Sequence, residues 1–210
     1  MESMTKRKPL YWINPNFRLN FPSFSVEWHL CDASDLKLEM MYGKHKRLMY
    51  GIGTNCVHVI VRDGNTGLDV LYTDQTRFEN MRLQKWLRET IRDHIVLRAK
   101  DVLPRRLHEL ESLHGLHSNG VAVKKLRKGI LGQCTHSNYI YLSPIIAIFP
   151  NRLMDVVILH EMAHMKHHHH RKSFWDYLSV LIGEDAKQQN TIQDMAVSKY
   201  WDFYLFLMKQ

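Results

Sequence analysis

Two short apolar runs in the first half of the chain carry the residue types of strands. Val57-His58-Val59-Ile60-Val61-Arg62 and Leu68-Asp69-Val70-Leu71-Tyr72 are rich in β-branched and aromatic side chains and predict two strands. Between them, Asp63-Gly64-Asn65-Thr66-Gly67 has the turn chemistry of a hairpin. The period then changes. Leu83, Trp86, Leu87, Ile91, Ile95, Ala99, Val102 and Leu103 recur at three-to-four spacing with Arg and Lys between them, which predicts a long amphipathic helix. Pro104 either kinks this helix or opens a second one ending near Gly115.

Further on, Val121-Ala122-Val123 and Tyr139-Ile140-Tyr141-Leu142 read as strands, with Gly129 and Gly132 marking turns or bulges between them. Phe149-Pro150-Asn151 announces a helix, with Asn151 the expected N-cap and Asp155 near its positive end. Two more helices are expected, from Lys172 to Ile182 before Gly183 and from Thr191 to Leu207. Ahead of residue 45, Pro9, Pro15 and Pro22 exclude a long helix, and Tyr11, Trp12, Phe17, Phe21 and Phe24 point to an extended, packed segment. The expected organisation is an N-terminal extension over 1–45, a β-hairpin region over 46–80 and a larger domain over 81–210. Strands and helices in this order give an α+β fold.

Composition narrows the class. With 45% apolar residues, the chain buries a core without disulfides. Cys31, Cys56 and Cys134 are odd in number, far apart and in no CxxC pair, so reduced thiols are expected. No run approaches the roughly 20 apolar residues of a membrane span. Lys6, Arg7 and Lys8 are followed by no apolar signal segment, so a cytoplasmic location is expected. The formal charge of +8 is concentrated: residues 81–128 hold twelve Lys/Arg against five Asp/Glu. A solvated helix face is the preferred explanation. A surface for nucleic acid, nucleotides or acidic proteins is the alternative.

The chemistry lies in His160-Glu161-Met162-Ala163-His164. Residues four apart on a helix share a face, so both imidazoles can meet one zinc ion, while Glu161 stands close enough to act on a water without being a ligand. Val156-Val157-Ile158-Leu159 just before the motif predicts that it sits in a buried, rigid helix. His167 to His170 follow directly. In a straight helix His168 lies about 6 Å beyond His164 along the axis and points past the metal. A third ligand is better supplied after the helix ends, by His169 or His170 folding back.

Val157 to His164, followed after five residues by His170 and then by Phe174-Trp175, resembles the YgjP-like metallopeptidases, relatives of the WLM and SprT zinc proteases. Leu131-Gly132-Gln133-Cys134 looks like that family's upstream strand motif, with Leu131 and Gln133 where the family has Trp and Ser. His169 stands where it usually has Asn. Tyr139 to Leu142 take the place of its next strand, and Trp86 is the candidate for its helix-borne Trp. The resemblance covers roughly residues 83 to 182. It implies a small zincin-like, minigluzincin-type domain in which His160, His164 and His170 hold one Zn2+ and Glu161 is the general base. It also implies a peptide or protein substrate, with Gln133 and Cys134 as candidate substrate contacts.

Cys134 itself is expected to be a buried structural thiol, because a metal-activated water already serves as nucleophile. The cluster of Tyr200, Trp201, Phe203, Tyr204 and Phe206 is expected to be core packing. Two other functions compete with a peptidase: hydrolysis of a non-peptide substrate such as a nucleotide, and a non-enzymatic nucleic-acid-binding or scaffold role around a vestigial site. The intact Glu161 argues against the last. A SprT-like protease acting on nucleic-acid-bound proteins would combine two of these.

Overall fold

A computed structural model describes residues 12–17, 19–50, 57–64, 67–127 and 129–208. The chain forms two compact units, one centred on residues 24–92 and the other on residues 93–202. Both are mixed α and β, with two sheets in all among the described residues. No described helix is long and apolar enough to cross a membrane.

The first unit is built on a five-stranded sheet in the order β1-β2-β5-β4-β3. Its strands are β1 (Leu19–Phe21), β2 (Phe24–Leu30), β3 (His45–Tyr50), β4 (Val57–Asp63) and β5 (Gly67–Tyr72). β4 and β5 pair antiparallel and Gly64 donates its N–H to the Gly67 carbonyl at 2.9 Å, closing the expected hairpin. Asn65 and Thr66 of that turn lie outside the described residues. Helix α1 (Ala33–Tyr42) sets Leu36 against Ile60 and Leu71. Val59 and Val61 point to the other face and are equally buried, so both faces of β4 are covered. The segment expected as an N-terminal extension thus supplies β1, β2 and α1 to the hairpin's own sheet, and no structural break falls at residue 45. Of that segment, residues 1–11 lie outside the described part.

Helix α2 (Met81–His114) runs unbroken through Pro104, and the unit boundary falls within it rather than at residue 81. An interior proline costs about 3 kcal/mol. Here Ala99, Leu103, Leu107 and Leu110 continue one buried stripe across it, and that packing holds the helix together. The predicted choice between a kink and a second helix is therefore settled as one helix.

The second unit has a three-stranded sheet ordered β6-β8-β7. β6 (Gly120–Val123) lies parallel to β8 (Tyr139–Leu142), and β7 (Gly132–Cys134) is antiparallel to it. A fully buried 3-10 turn, Pro144–Ile148, leads into α3 (Asn151–His164), followed by α4 (Lys172–Ile182) and α5 (Ala186–Met208). Three expectations shift. Pro150 occupies the N-cap position of α3 and Asn151 is its first helical residue, so no side chain caps the helix start. Asp155 is held by a two-pronged pair with Arg106 of α2, at 2.6 and 2.8 Å, rather than serving the helix end. Helix α5 also begins five residues before the predicted Thr191. Gly183 ends α4 at φ 73°, where a glycine is at ease, and its N–H caps the Ser179 carbonyl.

Candidate metal centre

Helix α3 is buried almost all round, with Leu153, Met154, Val156 to Leu159, Met162 and Ala163 all inside. That burial fixes the helix and with it the two histidines one turn apart on a single face. Beyond His164 the chain reverses, and the His167 N–H bonds the Ala163 carbonyl at 3.0 Å. The reversal carries His170 back onto His160 and His164. Nitrogens from all three rings lie within 4.8 Å of one another, and the Nε2 atoms of His160 and His170 are 3.1 Å apart. Tetrahedral zinc with Zn–N bonds near 2.0–2.1 Å sets its nitrogens about 3.3 Å apart. The pair therefore already has the spacing of two ligands on one ion.

The other tract histidines go elsewhere. His167 packs on Tyr177, His168 on His136, and His169 accepts the Arg171 N–H through Nδ1.

Three features make the cluster chemically suited to a metal. His164 Nδ1 sits 2.9 Å from the His167 carbonyl. A carbonyl only accepts, so Nδ1 carries the proton and Nε2 keeps the free lone pair. Burial, and then the proximity of His164 and His170, pushes His160 down to about 3, so it is a neutral imidazole, the form that ligates. Burial likewise lowers His164. Finally, α4 braces the group: Phe174 packs against all three rings at 4.6–4.9 Å, and Trp175 donates its indole N–H to the His170 carbonyl at 2.9 Å.

Glu161, 6% exposed, lies beside the histidines. Burial lifts its carboxyl to about 8, partly offset by a hydrogen bond from the Cys134 backbone N–H. β7 passes so close that a Cβ on Gly132 would stand 2.5–2.7 Å from the Glu161 side chain. Cys134 is half-buried, and burial followed by the nearby Glu161 carboxylate pushes its thiol up to about 11, so it stays protonated. Gln133 is exposed on β7, opposite Tyr141. Gln133 and Cys134 both line a cleft of about 820 Å³ with the three histidines and Glu161.

The residue pattern conforms to a known family, whose model matches residues 33–194. The chain belongs to the YgjP-like family. YgjP-like proteins are described by a metallopeptidase domain, so this chain is by family a metal-dependent peptidase and by reaction class a hydrolase. This YgjP-like match spans most of the chain, from α1 into α5. Among solved structures, it is similar to the metallopeptidase zymogen abylysin of Pyrococcus abyssi, at 24% identity and a TM-score of 0.39, covering 47% of this chain and 94% of that one. No curated protein matches it significantly.

Some parts of the site escape sequence reasoning. Nothing in the period of the chain marks Gly132 as a place where a Cβ is excluded. Phe174 is visible only through the resemblance, not as a brace for three rings. Lys124, Lys125 and Arg127 also line the cleft. They are visible in the sequence, but only as part of a basic stretch that includes α2. In the structure the two parts separate. On α2, Arg98 and Arg105 pair with Asp101, and Arg106 pairs with Glu109 and Asp155.

Proposed function

We propose that this chain is a zinc-dependent peptidase in which His160, His164 and His170 hold one zinc ion and Glu161 is the general base. The observation that carries this reading is the convergence of three imidazoles, two of them 3.1 Å apart, beside a buried carboxyl in an open cleft. Three protein ligands leave a fourth position free, as hydrolytic zinc sites require. Zinc held there supplies Lewis acidity, acidifying a water and polarising a scissile carbonyl.

The chain's own residues do the rest. The His167 carbonyl orients His164, and the Trp175 indole fixes the backbone at His170. The Cys134 N–H holds the Glu161 carboxyl, and burial raises its proton affinity above that of an ordinary carboxyl. Glu161 accordingly takes the water's proton and delivers it to the leaving amine. The exposure of Gln133 on the edge strand β7 supports its assignment as a contact for the peptide.

Glu161→Gln is expected to retain one metal per chain while peptide hydrolysis falls by roughly 10²- to 10⁴-fold. Metal analysis and steady-state kinetics on the same preparation check this. Full turnover in the metal-replete variant would sink the assignment. Metal analysis of the purified protein also tests zinc itself, since imidazole suits nickel, copper and iron as well.

A further inference from the structure

The mouth of the cleft has a charge that the peptidase reading does not require. The connection between β6 and β7 places Lys124, Lys125 and Arg127 on its lining. All three are exposed, and among the described residues no carboxylate pairs with any of them. The contrast with Arg98, Arg105 and Arg106 of α2, which are tied to Asp101, Glu109 and Asp155, is direct.

The connection is also anchored. The Lys124 N–H bonds the Leu142 carbonyl at 3.1 Å, and the Leu131 carbonyl accepts the Ser143 N–H at 2.7 Å, so both ends are tied to the end of β8. Lys124 Nζ stands 3.2 Å from the centre of the Tyr141 ring, which holds the ammonium in place without neutralising it. Among the described residues Glu161 is the sole carboxylate in the lining, and it is buried. Fixed cations at the rim of a cleft with no exposed anion raise the local concentration of negatively charged ligands.

We infer that the cleft selects peptide segments with Asp or Glu beside the scissile bond, and that Lys124, Lys125 and Arg127 determine this specificity. The inference rests on the peptidase reading above. Single-stranded nucleic acid fits the same charge less well. Such binding draws on aromatic platforms for the bases, and among the described residues no Phe, Tyr or Trp lines the cleft.

The test uses fluorescent peptide pairs that differ only in Asp/Glu against Asn/Gln. Binding is read by anisotropy on zinc-loaded Glu161→Gln protein, and kcat/KM on the wild type. The acidic member is expected to bind about tenfold tighter, a difference of about 1.4 kcal/mol, and the advantage should shrink as salt is raised. It should vanish in Lys125→Gln/Arg127→Gln and persist in Lys125→Arg/Arg127→Lys, with thermal melts showing that both variants fold. Equal binding of the pair overturns the inference, as does an oligothymidylate that binds more tightly and that the acidic peptide cannot displace. Cleavage of both peptides without preference overturns the specificity alone and leaves the peptidase reading standing. A charge-dependent binding advantage with no cleavage of any peptide does the reverse.

Discussion

At Gly132 the backbone of β7 runs so close to Glu161 that an added Cβ would lie 2.5 Å from the glutamate Cγ. The cramped carboxyl is the group to which we assign the proton transfer, and overpacking at such a point costs about 1–3 kcal/mol unless the neighbour moves. Gly132→Ala is therefore expected to keep the metal, because the three histidines come from α3 and the loop after it. Its kcat should fall by about 10- to 100-fold, the scale of a reacting group misplaced by an ångström. Stopped-time assays with metal content determined in parallel decide it, and wild-type kcat in the alanine variant would refute the steric account. At this scale the sequence is unevenly legible. His160, Glu161 and His164 follow from helix geometry alone. His170 does not, because the reversal after His164 has no period to announce it, and only the resemblance separates it from His169.

Among the elements, α2 shows best how packing overrides local preference. Its proline is a breaker by propensity, yet the buried stripe from Ala99 to Leu110 continues through it. Competition between long-range burial and local signals explains the misplaced boundaries as well, since pattern locates a helix better than it locates its ends. The far end of α2 is secured by Glu111, which is 5% exposed. Its carboxylate accepts the Ser118 N–H at 2.7 Å and lies 2.8 Å from His108 Nδ1. Burial works to raise this carboxyl, but the hydrogen bonds from Ser118 and His108 outweigh it and hold the group below its ordinary value of 4.5. A folded-state pKa below the unfolded one means the stabilisation is complete above about 4.5 and is lost as pH falls through the lower value. Glu111→Gln should cost about 1–3 kcal/mol at neutral pH. The difference from wild type should narrow in acid. Thermal melts across pH measure it, and a gap that does not change with pH contradicts the account.

For the whole molecule, the α+β class and the β4–β5 hairpin are legible, because alternation and turn residues are local signals. The place of residues 19–42 is not. β1, β2 and α1 gain their stability by joining strands that come later in the chain, and no local window shows such a partner. Strand order adds a consequence for how the first unit assembles. β2 pairs in parallel with β5, although α1, β3 and β4 lie between them in the chain. Closing that loop is entropically costly, while the β4–β5 hairpin forms from neighbours. The hairpin should therefore belong to the folding nucleus and β2 should dock after the barrier. Val61→Ala in β4 is expected chiefly to slow refolding, and Val26→Ala in β2 chiefly to speed unfolding. Chevron kinetics separate the two, and the opposite partition would reject this order. The sheet's topology thus makes the β2–β5 pairing, which also carries β1 on its outer edge, the last seam to close and the first to open.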